Sequence, residues 1–385
     1  MASTNPSTKN HRAPALIAAA GLALTLAGCS DKGNEAETKT ETETEATTSA
    51  PAAAGDAQTT PQAAGPELSG QVVFADWGGA THDARQAAYF DSFTAGTGVE
   101  VVSTTLEMTI MYSMLAGETG DYDAMHVGLP DIYLSSDHLL TLDPTVPRAD
   151  QLPADAQDYA FGAFAVGDVQ AHLAATFPDG GPQTWADFFD TEKYPGKRAL
   201  PGAGAMNGFV LEAALMADGV APEDFYPIDY ERAYAKLNSI AGDVVFYTEY
   251  PQLQQLLLSG SVAVAYGPSG QFTSLIASGE DVTVSWDEAF CSYDAIVIPE
   301  QAPNPANIQA LAAWMGDPER QAQFARATKY GPLSAAVWEF IPADEQDLIV
   351  TAPSHTNLVQ TDPQARATYN EEMINAYAEW LTTAQ

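Results

Sequence analysis

Hydrophobic positions along the chain change period repeatedly, and each change marks an element. Residues 71–75 (Gln-Val-Val-Phe-Ala) read as a strand. From 83 to 94 the apolar residues Ala84, Ala87, Ala88, Phe90 and Phe93 recur at helical spacing, and Gly96 and Gly98 close the run. The pattern predicts a second strand at 99–103, a helix at 109–116 ending on Gly117, and a third strand at 123–127. Strand–helix–strand–helix–strand order implies a parallel sheet covered by helices. A second series begins near Gln183. It predicts a short helix at 185–189, a strand at 197–200, helices at 207–217 and 230–240, a strand at 244–247, a helix at 252–258 and a strand at 262–265. Two separate strands are expected at 282–285 and 295–298, then helices at 307–314, 318–327 and 367–381. The body therefore reads as two α/β units without a visible internal repeat. Ligands of open α/β sheets sit at the carboxyl ends of strands, so a cleft between the units is the expected site.

The N-terminus has a different pattern. Lys9, His11 and Arg12 precede an apolar run from Ala13 to Ala27, too short for a membrane span and suited to export. The run ends in Leu26-Ala27-Gly28-Cys29, which resembles the lipobox of bacterial lipoproteins. That resemblance implies removal of residues 1–28 and lipidation of Cys29; a plain secretory signal with an incidental cysteine is the alternative. Residues 30–67 are rich in Glu, Thr, Ala, Gln and Pro, as in Glu41-Thr42-Glu43-Thr44-Glu45. With almost nothing apolar to bury, they read as a solvated tether behind the anchor.

Charge narrows the partners. The 385 residues carry 15 Lys and Arg against 51 Asp and Glu, a formal charge of −36. Such acidity argues against nucleic acid and against docking on anionic lipid. The deficit of lysine resembles that of proteins exposed to saline surroundings. Two cysteines cannot build a disulfide scaffold or a Cys-rich metal site. Searching for chemistry returns no HExxH, Walker A, GxSxG or GxGxxG sequence, and the histidines show no metal-ligand spacing. His126, on an expected strand, reads as a hydrogen-bonded core histidine, and Cys291 as a small buried hydrophobe. No cofactor, metal or catalytic group is expected, and the chain reads as a non-enzyme.

Aromatic residues at strand ends are the positive signal. Trp77 follows the first strand, Tyr247 and Tyr250 flank the end of another, Tyr266 ends the 262–265 strand, and Tyr293 precedes Asp294. Rings beside a carboxylate suit an organic cation, because the ring face attracts positive charge and the acid fixes it. Ordinary packing of each ring is the competing reading.

Several segments together carry a family resemblance: Val73 to Trp77, Thr184 to Phe189, Tyr194 to Lys197, Leu215 to Gly219, Tyr293 to Pro299 with Ala302 to Asn304, and Lys329 to Pro332. In this order, residues 68–385 resemble the spermidine/putrescine-type periplasmic solute-binding proteins of ABC importers. The resemblance implies an α/β, two-lobe periplasmic-binding-protein fold of type II with the ligand cleft between lobes. One lobe would hold about 68–173 and 294–339, the other about 174–293 and 340–385. It implies a monomer that closes on a small cationic solute, a polyamine or related amine, and delivers it to an inner-membrane permease. The chain would be periplasmic or at the cell surface, with the lipid on Cys29 as its only membrane attachment.

The resemblance also implies site residues. Trp77 would stack on the ligand's methylene chain, Asp294 would bind an amine, and Tyr330 would stand at the cleft edge with Tyr293 nearby. Tyr266 falls where the family has Trp in a Trp-Asn-Gly segment; here the segment is Tyr266-Gly267-Pro268. Gln360 matches a glutamine that reaches a terminal amine. Trp77, Tyr266 and Asp294 are thus expected to face one another. One departure stands out. The family's polyamine binders place an acidic pair at the start of a second-lobe helix, and Gly204-Ala205-Met206-Asn207-Gly208-Phe209 has no acid. Either Glu212, Glu249 or Glu107 substitutes, or the ligand is a smaller amine, a quaternary ammonium or an amino-acid-like solute. A lipid-anchored enzyme, or an adhesion or sensory module using the same cleft, is the other class left open.

Overall fold

The computed structural model describes residues 68–203 and 208–384. The expected signal sequence, Cys29 and the tether lie outside the described residues. Nine strands are present among them: β1 Gln71–Asp76, β2 Glu100–Thr105, β3 Ala124–Gly128, β4 Ala160–Leu173, β5 Arg198–Pro201, β6 Val244–Tyr247, β7 Val264–Pro268, β8 Val282–Val297 and β9 Gly331–Pro332. The helices are α1 Gly79–Arg85, α2 Asp91–Thr97, α3 Met108–Leu115, α4 Leu129–Ser135, α5 Trp185–Phe189, α6 Val210–Ala217, α7 Tyr230–Asn238, α8 Tyr250–Leu258, α9 Ser269–Ala277, α10 Pro305–Met315, α11 Pro318–Thr328, α12 Ala343–Gln346 and α13 Pro363–Ala384. A π-helical turn over Gln86–Phe90 joins α1 to α2, and Gly98, left-handed at φ 77°, ends the run.

All strands belong to one sheet in the order β2-β1-β3-β8-β4-β7-β5-β6, with β9 beside β4. Two parallel triplets flank it. β2, β1 and β3 are parallel in the first half, and β7, β5 and β6 in the second. Between them β4 and β8 run antiparallel to each other and to their neighbours. The first half pairs β3 with residues 294–297 of β8; the second pairs β7 with residues 168–171 of β4. The two central strands therefore belong to both halves.

Helices cover both faces of each half, and alternate strand residues fill the cores. Val72, Phe74 and Ile296 pack under α1, α2, α10 and α11, while Ala75, Met125 and Val127 face α3 and α4. In the second half Phe209, Phe225, Phe290, Tyr377 and Trp380 form one aromatic-rich core, with Leu253, Phe272 and Val262 on the other face. The C-terminal helix α13 touches α4 of the first half and α7 of the second.

Two expectations change here. The strands expected at 282–285 and 295–298 are the ends of one strand, β8. Residues 286–289 leave the ladder and it resumes, so Asp168 pairs with Phe290 and Gln170 with Ser285. Glu288 turns that excursion at φ 60°, accepts the Trp185 backbone N–H on its carboxylate, and accepts the Trp185 indole N–H on its carbonyl. β4, for which the pattern gave no strand, is the longest partner of β8. Its own irregularity lies between Phe161 and Phe164, where Gly162 sits at φ 53°.

Candidate functional site

The carboxyl ends of the two parallel triplets point toward the central strands from opposite sides. At the end of β3, Gly128 pairs with Asp294 of β8; at the end of β7, Pro268 pairs with Asp168 of β4. Phe164 of β4 lies opposite Asp294, and Asp168 opposite Phe290. Strand alternation thus puts Asp294, Ser292 and Phe290 with Phe164, Val166 and Asp168 on one face of the central ribbon.

Asp294 ends a chain of polar groups that reaches into the first half. His126 Nε2 lies 3.1 Å from Asp294 Oδ2. Arg85 donates to His126 Nδ1 at 3.2 Å and to Asp76 Oδ2 at 3.0 Å. Asp76 also accepts the Gly78 N–H at 2.9 Å and meets His82 Nδ1 at 3.2 Å. Asp76, Arg85 and His126 are buried, whereas the Asp294 side chain is 30% exposed. The rings of Phe74, Phe164 and Phe324 surround the guanidinium at 5.6–5.8 Å. Burial, with Arg85 next, lowers the His126 imidazole below the usual histidine range. Asp131 stands nearby, its carboxylate accepting the Gly128 N–H at 3.2 Å, and burial raises its pKa.

Trp77 leaves β1 half exposed, its ring edge-on to His126 at 6.4 Å. Tyr330 stacks on Phe164 at 5.0 Å, and its hydroxyl is 3.4 Å from Thr81 Oγ1. A Cβ on Gly270, at the start of α9, would sit 3.9 Å from the Tyr330 ring, so Tyr330 stands where the two halves meet.

Tyr266 is a correction. Its ring is 1% exposed and packs on Trp185 at 5.6 Å inside the second core. Its hydroxyl accepts the Phe209 N–H at 2.7 Å and donates to Asp168 at 3.2 Å, so neither ring face nor phenol is open to a solute. The expected trio is therefore not assembled: Trp77 and Asp294 share His126, and Tyr266 stands behind Asp168. Tyr293 and Gln360 bond to each other. Strand alternation turns Tyr293 to the face of β8 opposite Asp294, where it packs beside the α3 and α4 core. Glu107 and Glu249 are exposed residues that precede α3 and α8, and among the described residues neither shares a bond with the Asp294 chain. Glu212 cannot replace the missing acidic pair, because it is buried against Arg366 and accepts the Tyr226 hydroxyl at 2.8 Å.

Asp168 and Arg366 are residues that the sequence reading passed over. Asp168 is 9% exposed, and burial pushes its carboxyl up to about 6. A lone acid after Gly167 in an apolar run was the available signal. Arg366, near the start of α13, donates to the Gly208 carbonyl at 2.6 Å and lies 4.0 Å over the Phe209 ring. Burial lowers it to about 10, with Asp168 opposing that shift.

Among the described residues no group of three His, Cys, Asp or Glu side chains could hold a metal ion. The arrangement offers the part-exposed Asp294 carboxylate and the Trp77 and Tyr330 rings, while both guanidinia, Arg85 and Arg366, already have carboxylate partners. Cys291 is buried, and burial pushes its thiol up to about 12.

The model of the bacterial extracellular solute-binding protein family matches residues 88–347. The γ-aminobutyric acid-binding protein of Pseudomonas aeruginosa is 27% identical over 330 residues, covering 83% of this chain and 93% of that protein. The solved Atu4243–GABA receptor superposes with a TM-score of 0.71 at 28% identity, over 81% of this chain and 97% of that one. The spermidine/putrescine ABC transporter substrate-binding protein of Streptococcus pneumoniae shares the fold at a TM-score of 0.65, with 16% identity over 82% of this chain and 99% of that one. The two halves are thus the lobes of a periplasmic-binding-protein fold, while the expected polyamine type rests on the more distant of these likenesses. The chain belongs to the bacterial extracellular solute-binding protein family, as the exported solute-binding component of an ABC transporter.

Proposed function

We propose that the protein captures a small ω-amino acid of the γ-aminobutyrate class and delivers it to the permease of its importer. One observation carries the reading. Asp294, at a strand end in the cleft, accepts a single side-chain bond from His126 among the described residues, is 30% exposed, and lies near the half-exposed Trp77. Such a carboxylate suits an ammonium, and the ring covers the methylene chain behind it. The second lobe lacks the acidic pair of polyamine binders, and its nearby Glu212 is already matched by Arg366, so among the described residues no free acid is left there for a second ammonium. Both γ-aminobutyrate-named relatives share more identity with this chain than the polyamine protein does.

Asp168 favours a second reading. It lies on the same ribbon face as Asp294, from the other lobe, and two carboxylates suit a short diamine. Isothermal titration with γ-aminobutyrate, putrescine and glycine betaine separates the readings. Tight binding of γ-aminobutyrate with weak putrescine is expected. The reverse order supports the diamine, and silence with all three removes both. Proton NMR of the bound solute should show no conversion over hours, as a receptor requires.

In this reading the lobes part inside β4 and β8, near residues 166–168 and 290–294, and not at 173/174. Cys29 holds the monomer to the membrane through the tether, and Tyr330 closes the edge of the cleft.

A further inference from the structure

We propose that His126 is the positioning residue for the solute-binding carboxylate, set by the Asp76–Arg85 pair as a neutral Nε2–H donor that aims Asp294 at the ammonium. This rests on the reading of Asp294 as the ammonium ligand.

Proton bookkeeping along the chain has one solution. A guanidinium only donates. Arg85 faces His126 Nδ1 at 3.2 Å, so Nδ1 presents its lone pair and carries no proton. The ring proton of a neutral imidazole then sits on Nε2, which donates to Asp294 Oδ2 at 3.1 Å. A second proton on Nδ1 would meet the Arg85 cation inside the core and break that bond. Arg85 cannot swing away, because Asp76 holds it at 3.0 Å and three phenylalanine rings wall it in. Asp76 is itself held by Gly78 and His82.

The groups that face His126 come from four directions. They are Arg85 before the π-helical turn, Asp76 with the Trp77 ring after it on β1, Asp294 on β8, and the Phe164 ring on β4 at 5.4 Å. Of the charged groups among them only Asp294 opens to the cleft, beside the half-exposed Trp77 ring. The result is a carboxylate with one oxygen pinned from behind and its remaining lone pairs turned outward. Specificity follows from that geometry: a fixed acceptor rewards a primary ammonium, which donates along defined directions, over a quaternary one, which cannot donate.

The test uses the full chain with γ-aminobutyrate, putrescine and glycine betaine as probes. Long-range ¹H–¹⁵N spectra of the wild-type protein should show His126 with a pyrrole-type Nε2 and a pyridine-type Nδ1, unchanged from pH 8 to pH 5.5. An Nδ1–H tautomer, or titration in the ordinary histidine range, overturns the proposal whatever the solute is. In calorimetry His126→Leu should weaken the primary amine at least tenfold and narrow its margin over betaine. His126→Gln, which can donate to Asp294 and accept from Arg85, should bind within threefold of wild type. Thermal unfolding of both variants checks the fold, and the spectra of the wild type decide the matter if the leucine variant does not fold. If Asp294→Ala loses binding while His126→Leu keeps it, the positioning role fails alone. If Asp294→Ala binds normally, the reading of the site fails with it.

Discussion

The two lobes place an aspartate at equivalent points, and the comparison explains why only one of them is open enough for the proposed solute contact. Asp294 pairs with Gly128, the last residue of β3; Asp168 pairs with Pro268, the last residue of β7. Each takes a bond from the side chain two residues before that end, His126 in one lobe and Tyr266 in the other. The surroundings differ. His126 is backed by a buried guanidinium, and its aspartate opens to the cleft. Tyr266 is backed by the Phe209 N–H, and its aspartate is 9% exposed. Equal backbone geometry gives a part-exposed carboxylate on one side and a buried acid on the other, whose pKa burial raises.

The largest effect expected is on the first lobe's backing. Arg85→Leu would leave Asp76 buried without its cation, at a cost of about 3–5 kcal/mol. Urea unfolding measures it, and a loss under about 1 kcal/mol would mean that Asp76 is neutral or hydrated. Next, Asp294→Ala should lower affinity for the primary amine more than about 100-fold, about 2.7 kcal/mol, with thermal stability nearly unchanged. Asp168→Ala should cost less affinity, and equal losses would make the two lobes equal partners in binding.

The second lobe supplies a pH test. Burial raises Asp168 from 3.8 to about 6, so the folded chain holds an extra proton between those values. Stability from this group is therefore highest below about pH 4, falls as pH rises to about 6, and stays low above it. Asp168→Asn should raise stability at pH 8 by up to ~3 kcal/mol and change little at pH 4. A variant that is no more stable at pH 8 would show that Arg366 already compensates the charge. The smallest effect is Trp77→Ala, expected to weaken solute binding about tenfold with no change in unfolding, since the ring is half exposed.

Parts of this comparison were legible in the residues and parts were not. β1 and β3 stand out in the sequence as short apolar strands next to amphipathic helices. Asp294 is a lone acid at the start of the Ala295–Ile298 run, and a family resemblance points to it. β4 was not legible. Its Ala and Phe residues are buried on both faces, so neither alternation nor a run of β-branched side chains marks it. Asp168 went unseen with it. β8 read as two strands because Trp286, Asp287 and Glu288 are polar or bulky where the ladder is interrupted. An aromatic at a strand end says nothing about which pleat face carries it, so Tyr266 and Tyr293 could not be placed. Arg85 and Asp76 are nine residues apart with a turn between, and no local spacing rule links them.

β4 and β8 pass from one lobe to the other as hydrogen-bonded backbone. A passage made of paired strands behaves as a leaf spring: it flexes by spreading small torsional changes over many residues, and it stores the deformation elastically. Opening and shutting would then be reversible over many rounds without fatigue at a single joint, and amide protons near Val166 and Ser292 would exchange slowly whether or not cargo is aboard.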